Sequence, residues 1–580
     1  MVGSADGCEC RDGNRRRPCA PPHGRNPYSI YQLSASRNWS QPGGDRDPAA
    51  APAHGAVCFS VSGEPTPHAM VTRRVDWDLA PGCGDVLMKR MVAGPNRGRA
   101  LDAAALDAHA WLGLMISAAM YLICLSGALA VFNQEFERWE QPAVEEDTRV
   151  RPKLAAQGLE HFVERYGRDT SHFHVVFPTS GIPRLVVEND DIAHFVRDDG
   201  TLGAIESAPW TRMLIDLHYY LHLPKNFGMI LVSVCGALLV ALIVSGILAH
   251  PRIVRDAFRF RRGGNGTQAS IDLHNRLSVW GLPFHLTIAI TGAYYGLIGL
   301  LVSLAAHAFF DGDTEAVSAP VFAPEPSGYG VEGAALPDIA RAVDHVLRVD
   351  PEGRPIFLTI HDPGTVDEFV ELYVQQPGRL IYSENYRFSP DGERIGRGGY
   401  RDGAGGKQFV YSLYRIHFGD FAGVGTKVLY FILGMMLAVV SASGVSIWLG
   451  KRKRRTMMDD LWPAFVWGTP IALATSAIAT LMGGAGSAGW VFWLVLLVTT
   501  SLGARLDAKF VRQRYPLLLG GCLIALVVLY LAHNGSAAMH VASWPVTASL
   551  FCFAFALLWP LSYNRLRRPQ RKAVDSLARR

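Results

Sequence analysis

Net charge is nearly absent from this chain of 580 residues, in which 56 Lys and Arg stand against 51 Asp and Glu for a balance of +5. So small an excess does not suggest a polyanionic partner, and no nucleic acid is expected; the charge lies instead in patches. Cysteine is scarce: of nine, five precede the first long apolar run and four lie inside apolar runs. The two long polar segments between those runs carry none, so no disulfide supports them even in an oxidising compartment. Nucleotide loops are missing as well. No Gly-x-Gly-x-x-Gly follows a strand pattern, no Walker loop occurs, and GGNG (263–266) and GAGG (403–406) lack a strand-to-helix context. The chain therefore has no legible flavin or nucleotide site of its own.

Long apolar runs are what the chain has in abundance. Four windows at 110–132, 228–248, 277–304 and 428–449 are long enough to cross about 30 Å of hydrocarbon. Four more crowd the C-terminal part, at 464–482, 490–502, 517–532 and 541–561. Basic clusters RIVRDAFRFRR, KRKRR, RLDAKFVRQR and RLRRPQRK follow the second, fourth, sixth and eighth runs, and NRGR precedes the first. Positive flanks stay in the cytoplasm, so eight crossings with both termini cytoplasmic are expected. Asp and Glu are absent from the middle of the runs.

The expected organisation is an N-terminal extension over 1–95, a first span over 100–132, an outward unit over 133–216 and a second span over 217–250. A basic loop over 251–270, a third span over 271–304, a second outward unit over 305–415 and a fourth span over 416–450 follow. A basic loop over 451–462, four further spans over 463–563 and a cytoplasmic tail over 564–580 complete it. The outward units read as α+β: LAAQGLEHFVERYG is helical and is followed by the strand-like HFHVVFP, RLVVEND and HFVRDD. The second unit repeats that order with LPDIARAVDHVLRV, PIFLTIHD, DEFVELYVQQ and RLIYSENYRF. The first 90 or so residues lack periodicity and are expected to be disordered, or to precede a true start at Met88 or Met91. A twin-arginine or zinc reading of Cys8, Cys10 and Cys19 is disfavoured, because no apolar h-region follows and the histidines lack ligand spacing.

The repeat extends to histidines. His109 opens the first span and Ser126-Gly127 follows seventeen residues later; His274 opens the third and Thr291-Gly292 follows at the same distance. His218, in LHYYLHLP, precedes the second span with Ser245-Gly246 twenty-seven residues on, and His417 precedes the fourth with Ser443-Gly444 twenty-six on. A twofold-like relation puts His109 with His274 on the cytoplasmic side and His218 with His417 on the outer side. Two imidazoles from facing helices, with apolar walls, are the axial ligand set of a six-coordinate b-type haem, so two haems are expected with these four as iron ligands. Small Ser-Gly and Thr-Gly pairs would let the helices approach closely. His222, His250 and His285 are secondary candidates; in one continuous helix His285 would lie about 16 Å deeper than His274 on the same face. Against this stands the plain reading, in which rim histidines are interfacial polar residues.

The stretches SGILAHPRIVRDAFRFR, DLHNRLSVWGLPFHLTIAITGA and LYRIHFGDFAGVGTKVLYFILG, together with the order of spans and outward units, resemble the PepSY-associated transmembrane helix family over about residues 100–455. The resemblance implies an α-helical polytopic protein of the bacterial inner membrane with two small periplasmic PepSY-like α+β domains. It also implies a dihaem ferric-siderophore reductase-like oxidoreductase that passes electrons outward to iron(III). The donor would be a partner, either a cytoplasmic flavoprotein near RIVRDAFRFRR or a membrane quinol. Tyr219, Tyr220, Tyr411 and Tyr414 could line the approach of the chelate, and Arg415 and Lys225 could neutralise haem propionates. Two rival functions remain: a membrane protein regulating periplasmic peptidase or signalling activity without redox chemistry, and a transporter. The last four spans depart from the family's usual core.

Overall fold

The computed structural model describes residues 95–250, 252–258 and 266–559. All but the last residue of the expected 1–95 extension, the end of RIVRDAFRFRR and the expected tail lie outside the described residues. The described residues begin on α1 (Pro95–Ala130), followed by α2 (Asn133–Glu140), α3 (Pro152–Tyr166), β1 (His172–Val176), β2 (Val186–Asn189), β3 (Ala193–Val196) and β4 (Leu202–Ile205). Then α4 (Pro209–Tyr220) leads into α5 (Lys225–Ala249). After α6 (Ile253–Ala257) the order recurs with α7 (Gly266–Trp280), α8 (Leu282–Phe309), α9 (Thr314–Ser318), α10 (Ile339–Val349) and β5 (Arg354–His361). It continues through β6 (Phe369–Gln375), β7 (Glu384–Phe388), β8 (Arg394–Arg397), α11 (Gly405–Phe418) and α12 (Val424–Lys451). Four further helices follow: α13 (Met458–Leu481), α14 (Ala488–Gly503), α15 (Ala508–Asn534) and α16 (Trp544–Trp559).

Among the described residues six helices, α1, α5, α8, α12, α13 and α15, are long and apolar enough to cross a membrane. The protein is a multi-pass helical membrane protein. The other two expected spans form shorter apolar helices: α14 has 16 residues, about 24 Å at 1.5 Å per residue, and α16 is comparable. The third expected span is two helices. Pro283 sits in the first turn of α8, where its missing N–H is harmless but its ring opposes continuation from α7, so the chain breaks at Gly281.

The two expected α+β units are not separate bodies. β1 pairs antiparallel with β5, and the whole forms one eight-stranded sheet in the order β4-β3-β2-β1-β5-β6-β7-β8. Alone, each half would present β1 or β5 as an open edge of unpaired backbone groups; joining them removes two edges at once. Alternation sends Phe173, Val175, Val187, Leu358, Ile360, Val370 and Leu372 to one face, where α3 and α10 cover them in a single core. Each such side chain contributes about 1.5–3 kcal/mol on burial. The opposite face is polar and carries His174, Glu188, Thr359, Glu371, Asn385 and Arg387 in register. It looks toward the helices, since Tyr411 of α11 donates to Asn385 at 3.0 Å. Strands β4 and β8 escape a sequence reading because LGAI and RIGR are short, partly exposed and carry no alternation.

Below the sheet, α1 packs on α5 and α12, α5 packs on α8, and α7 packs on α12, which closes a ring of four spans. The joints between the two repeats match. Gly236 of α5 lies against the backbone of Ala289 and Ala293 on α8, where a Cβ would come within 3.1 Å, and Gly434 of α12 lies against Ala128 of α1, where it would come within 2.9 Å. Both glycines stand nine residues before a Ser-Gly pair. Such close backbone approach is how helices associate where no hydrophobic effect separates helix from lipid. At the sheet-side end Lys427 of α12 reaches Glu135 of α2 at 2.7 Å and ties the same pair of repeats together.

The C-terminal helices break this symmetry. Their contacts go largely to the first repeat: Tyr121 of α1 donates to the Val466 carbonyl at 2.7 Å, and Trp210 of α4 to that of Leu473 at 3.1 Å. Trp139 of α2 stacks on Tyr530 with ring centres 4.3 Å apart.

Candidate functional site

Four histidines occupy the ring of helices in two pairs. His109 on α1 and His274 on α7 face each other at the end away from the sheet, with ring centres 6.4 Å apart and planes at 87°. His218 near the end of α4 and His417 near the end of α11 face each other under the sheet, at 6.3 Å and 29°. Along α1, Gly127, which packs against His218, stands 18 residues beyond His109. At 1.5 Å per residue that is about 27 Å, most of a hydrocarbon slab.

Each ring is held the same way. His109 Nδ1 lies 3.0 Å from the Leu242 carbonyl and 3.2 Å from Ser245 Oγ; His274 Nδ1 lies 3.1 Å from the Val440 carbonyl and 3.0 Å from Ser443 Oγ. His218 Nδ1 lies 2.9 Å from the Ile123 carbonyl. His417 Nδ1 lies 2.7 Å from Thr291 Oγ1, whose hydroxyl in turn donates to the Thr287 carbonyl at 2.8 Å. In the first three cases the carbonyl stands three residues before the serine of a Ser-Gly pair. The glycines complete the seats: a Cβ on Gly127 would run into the His218 ring, and Cβ atoms on Gly246, Gly292 and Gly444 would come within 3.2, 3.4 and 3.6 Å of His109, His417 and His274. The small pairs thus receive a ring from the neighbouring helix, a use distinct from simple helix contact.

A ring that donates Nδ1–H is fixed as the tautomer whose Nε2 carries the lone pair. An imidazole nitrogen binds a metal at about 2.0–2.1 Å, and the ring centre lies about 1.1 Å behind it, so two imidazoles that shared one metal would stand at most about 6.2–6.4 Å apart. Both pairs have that spacing. Among the described residues no group of three or more His, Cys, Asp or Glu could hold a metal ion. Two imidazoles alone could hold a metal only where its other ligands came with it, as they do in a tetrapyrrole.

The walls around the sheet-side pair are aromatic. Tyr295 of α8 lies 5.6 Å from His417, Phe418 5.5 Å from it, and Tyr414 stacks on Phe418 at 4.2 Å. Tyr219 also belongs to this group, 6.4 Å from Phe418. Tyr411 instead stacks on Tyr400 at 3.6 Å, up against the sheet. Arg415 is buried and directs its guanidinium at the carbonyls of Asp420 and Arg379, at 2.5 and 2.7 Å, while Lys225 is exposed at the start of α5.

The secondary histidines go elsewhere. His222 Nε2 lies 2.8 Å from the Met213 carbonyl, and Trp493 of α14 donates to its Nδ1 at 2.9 Å, so both nitrogens are taken by protein groups. His285 is buried and turned back over Gly281, with Nε2 3.3 Å from the Leu433 carbonyl; the helix break removes the continuous face it was expected to share with His274. His250 caps the end of α5, exposed, on the side of His109 and His274. Tyr295 and Trp493 are site residues that the sequence reading does not name. Tyr295 could have been flagged by its place one turn after Thr291, whereas nothing near Trp493 announces its partner.

On the polar sheet face burial pushes His174 down to about 3, with His172 and His361 adding to the effect. Burial would raise Glu371, but His361 and Arg387 beside it hold it down at about 2.

Residues 106–451 match the family model described as the PepSY-associated TM region. An uncharacterized protein of Pseudomonas aeruginosa is 27% identical over 357 residues, 58% of this chain and 88% of that protein. The family match ends at the last residue of α12, so α13–α16 lie beyond it.

Proposed function

The chain belongs to the PepSY-associated TM region family, and from that premise we propose that it is an inner-membrane dihaem electron-transfer protein that reduces ferric siderophore on the periplasmic side. The observation that carries this reading is the doubled histidine seat: four imidazoles with Nδ1 tied to the neighbouring helix, in two facing pairs with ring centres 6.4 and 6.3 Å apart that would hold one haem each. A b-type haem, if held by each pair, would supply one-electron chemistry at each end of the helix ring. The protein's own part is to fix the tautomers, to wall the sites with apolar and aromatic side chains, and to separate the two pairs by most of the membrane thickness.

Orientation rests on charge. Among the described residues KRKRR follows the end of α12 away from the sheet, and its Arg455 reaches Asp507 of RLDAKFVRQR at 3.5 Å, so by the positive-inside rule that end and both termini would be cytoplasmic, with α14 and α16 completing eight crossings. His109 and His274 then face the donor, a cytoplasmic flavoprotein or a membrane quinol, and His218 and His417 face the periplasm beneath the sheet. Iron(III) in a siderophore is held by hard oxygen ligands, and one added electron weakens that complex. The aromatic walls near His417 suit the approach of a chelate that the protein has no need to coordinate.

The test is haem content. Detergent-purified protein from haem-replete cells should contain about two low-spin b haems per chain by pyridine haemochrome and iron assay. A folded, colourless and iron-free preparation would end the redox reading.

A further inference from the structure

None of the four paired histidines lies on α13–α16, but the turn between α4 and α5 meets these helices. The chain reverses there on two successive non-glycine residues in the left-handed region, Leu221 at φ 55 and His222 at φ 57. Such residues are rare and unfavourable when they carry a Cβ. The matching turn of the second repeat, after His417, uses Gly419 and Gly423, both at φ 68, for which the conformation is free. The first repeat therefore needs an outside hold on its turn.

α14 provides that hold. Trp493 donates Nε1–H to His222 Nδ1, which commits Nε2–H to the Met213 carbonyl and closes the end of α4 on itself. Phe492, fully buried, meets the same ring edge-on at 6.3 Å. On the preceding helix, α13, Leu473 and Ser476 accept from Trp210 at the start of α4. α4 is thus gripped at both ends by the C-terminal helices, and His218 sits one turn before the distal grip.

We propose that Trp493 and His222 are positioning residues through which the C-terminal helices hold the strained α4–α5 turn and so fix the His218 ring, a role that the glycine turn after His417 makes unnecessary in the second repeat. The proposal rests on the haem reading of His218 for its consequence, and not for the clamp itself.

The full-length protein is prepared as Trp493→Phe, which removes the N–H and keeps an aromatic ring, as Leu221→Gly, which relieves the left-handed strain, and as the double variant. Hydrogen exchange is followed over residues 213–223 and, as control, 412–423. Low-spin electron paramagnetic resonance signals of the two haems are assigned with His109→Ala and His218→Ala. Trp493→Phe should raise exchange in 213–223 about tenfold, the effect of losing one buried hydrogen bond. It should leave 412–423 unchanged and shift only the signal that His218→Ala removes. Leu221→Gly should restore both readouts in the double variant. Unchanged exchange over 213–223 would overturn the clamp; so would equal loosening of both segments, which marks a general structural role. If the protein holds no haem the proposed function fails, while the exchange comparison still decides the clamp.

Discussion

His174 Nδ1 lies 3.1 Å from Thr359 Oγ1 across the seam between β1 and β5. The two residues stand at matching places in the repeats: His174 pairs with Glu188 of VVE in β2, and Thr359 with Glu371 of FVE in β6. The pseudo-twofold axis therefore passes between them, as it passes between His218 and His417 and between His109 and His274. Three facing pairs are strung along one line from the sheet to the far end of the bundle.

The top of that line should be acid-sensitive. His174 is neutral in the fold and its pKa is held down to about 3 by burial, whereas in the unfolded chain it titrates near 6.5. The unfolded state binds the extra proton between those values, so the seam is at full strength above about pH 6.5 and weakens as pH falls toward 3. The loss by pH 5 is up to about 2 kcal/mol. Thermal unfolding of wild type between pH 7 and 5 should show this decline, and His174→Gln should flatten it. An equally steep decline in the variant would assign the sensitivity to other groups.

Ligands of one haem fail together. His109→Ala and His274→Ala should each remove the same haem, and His218→Ala and His417→Ala the other, leaving about one haem per chain in every case. The rings of the first pair are nearly perpendicular and those of the second nearly parallel, so the two haems should give distinct resonance signals that identify which is lost. His285→Ala should keep both haems. Loss of the His218 haem on His274→Ala would refute the pairing.

The glycine seats make a graded prediction. Gly127→Ala places a methyl in the His218 ring, whereas at Gly444 a Cβ has ordinary van der Waals room at 3.6 Å from His274. Overpacking at Gly127 should cost about 1–3 kcal/mol and lower occupancy of the sheet-side haem, with Gly444→Ala close to neutral. Haem stoichiometry and thermal stability of the two variants check it; equal effects would mean that the rings are not seated as described.

Direction can be read in vesicles of known orientation. Chemically reduced protein should be reoxidised by a ferric hydroxamate on the sheet side, with iron(II) appearing in a ferrous trap there. Chelate confined to the opposite side should react far more slowly, because about 27 Å of helix separates it from the sheet-side pair. Equal rates from both sides would argue against vectorial reduction.

The histidine pairs were legible because the membrane imposes a fixed length: a ring on one helix must meet its seat on the next, and the seventeen-residue spacing from His109 and His274 recurs wherever that geometry recurs. The long spans were legible for the same reason. Pairing of β1 with β5 was not, because HFHVVFP and PIFLTIHD each read as a strand without naming a neighbour. The break at Gly281 was hidden because the apolar run over 277–304 passes across it, and hydropathy does not register a proline in a first turn. His222 looked like a spare ligand because Trp493, 271 residues away, holds its second nitrogen.

The single sheet also has a consequence for biosynthesis. Residues 174 and 359 are separated by 185 positions, with the apolar helices α5 and α8 between them. At translation rates of about 5–20 residues per second, β1 emerges roughly 10–40 s before β5 exists. During that interval the first half presents an open strand edge and half of an apolar core that α10 has yet to cover. A newborn chain stalled after α5 is thus a candidate for strand exchange with a second copy of itself, and quick delivery of the second half is what spares it.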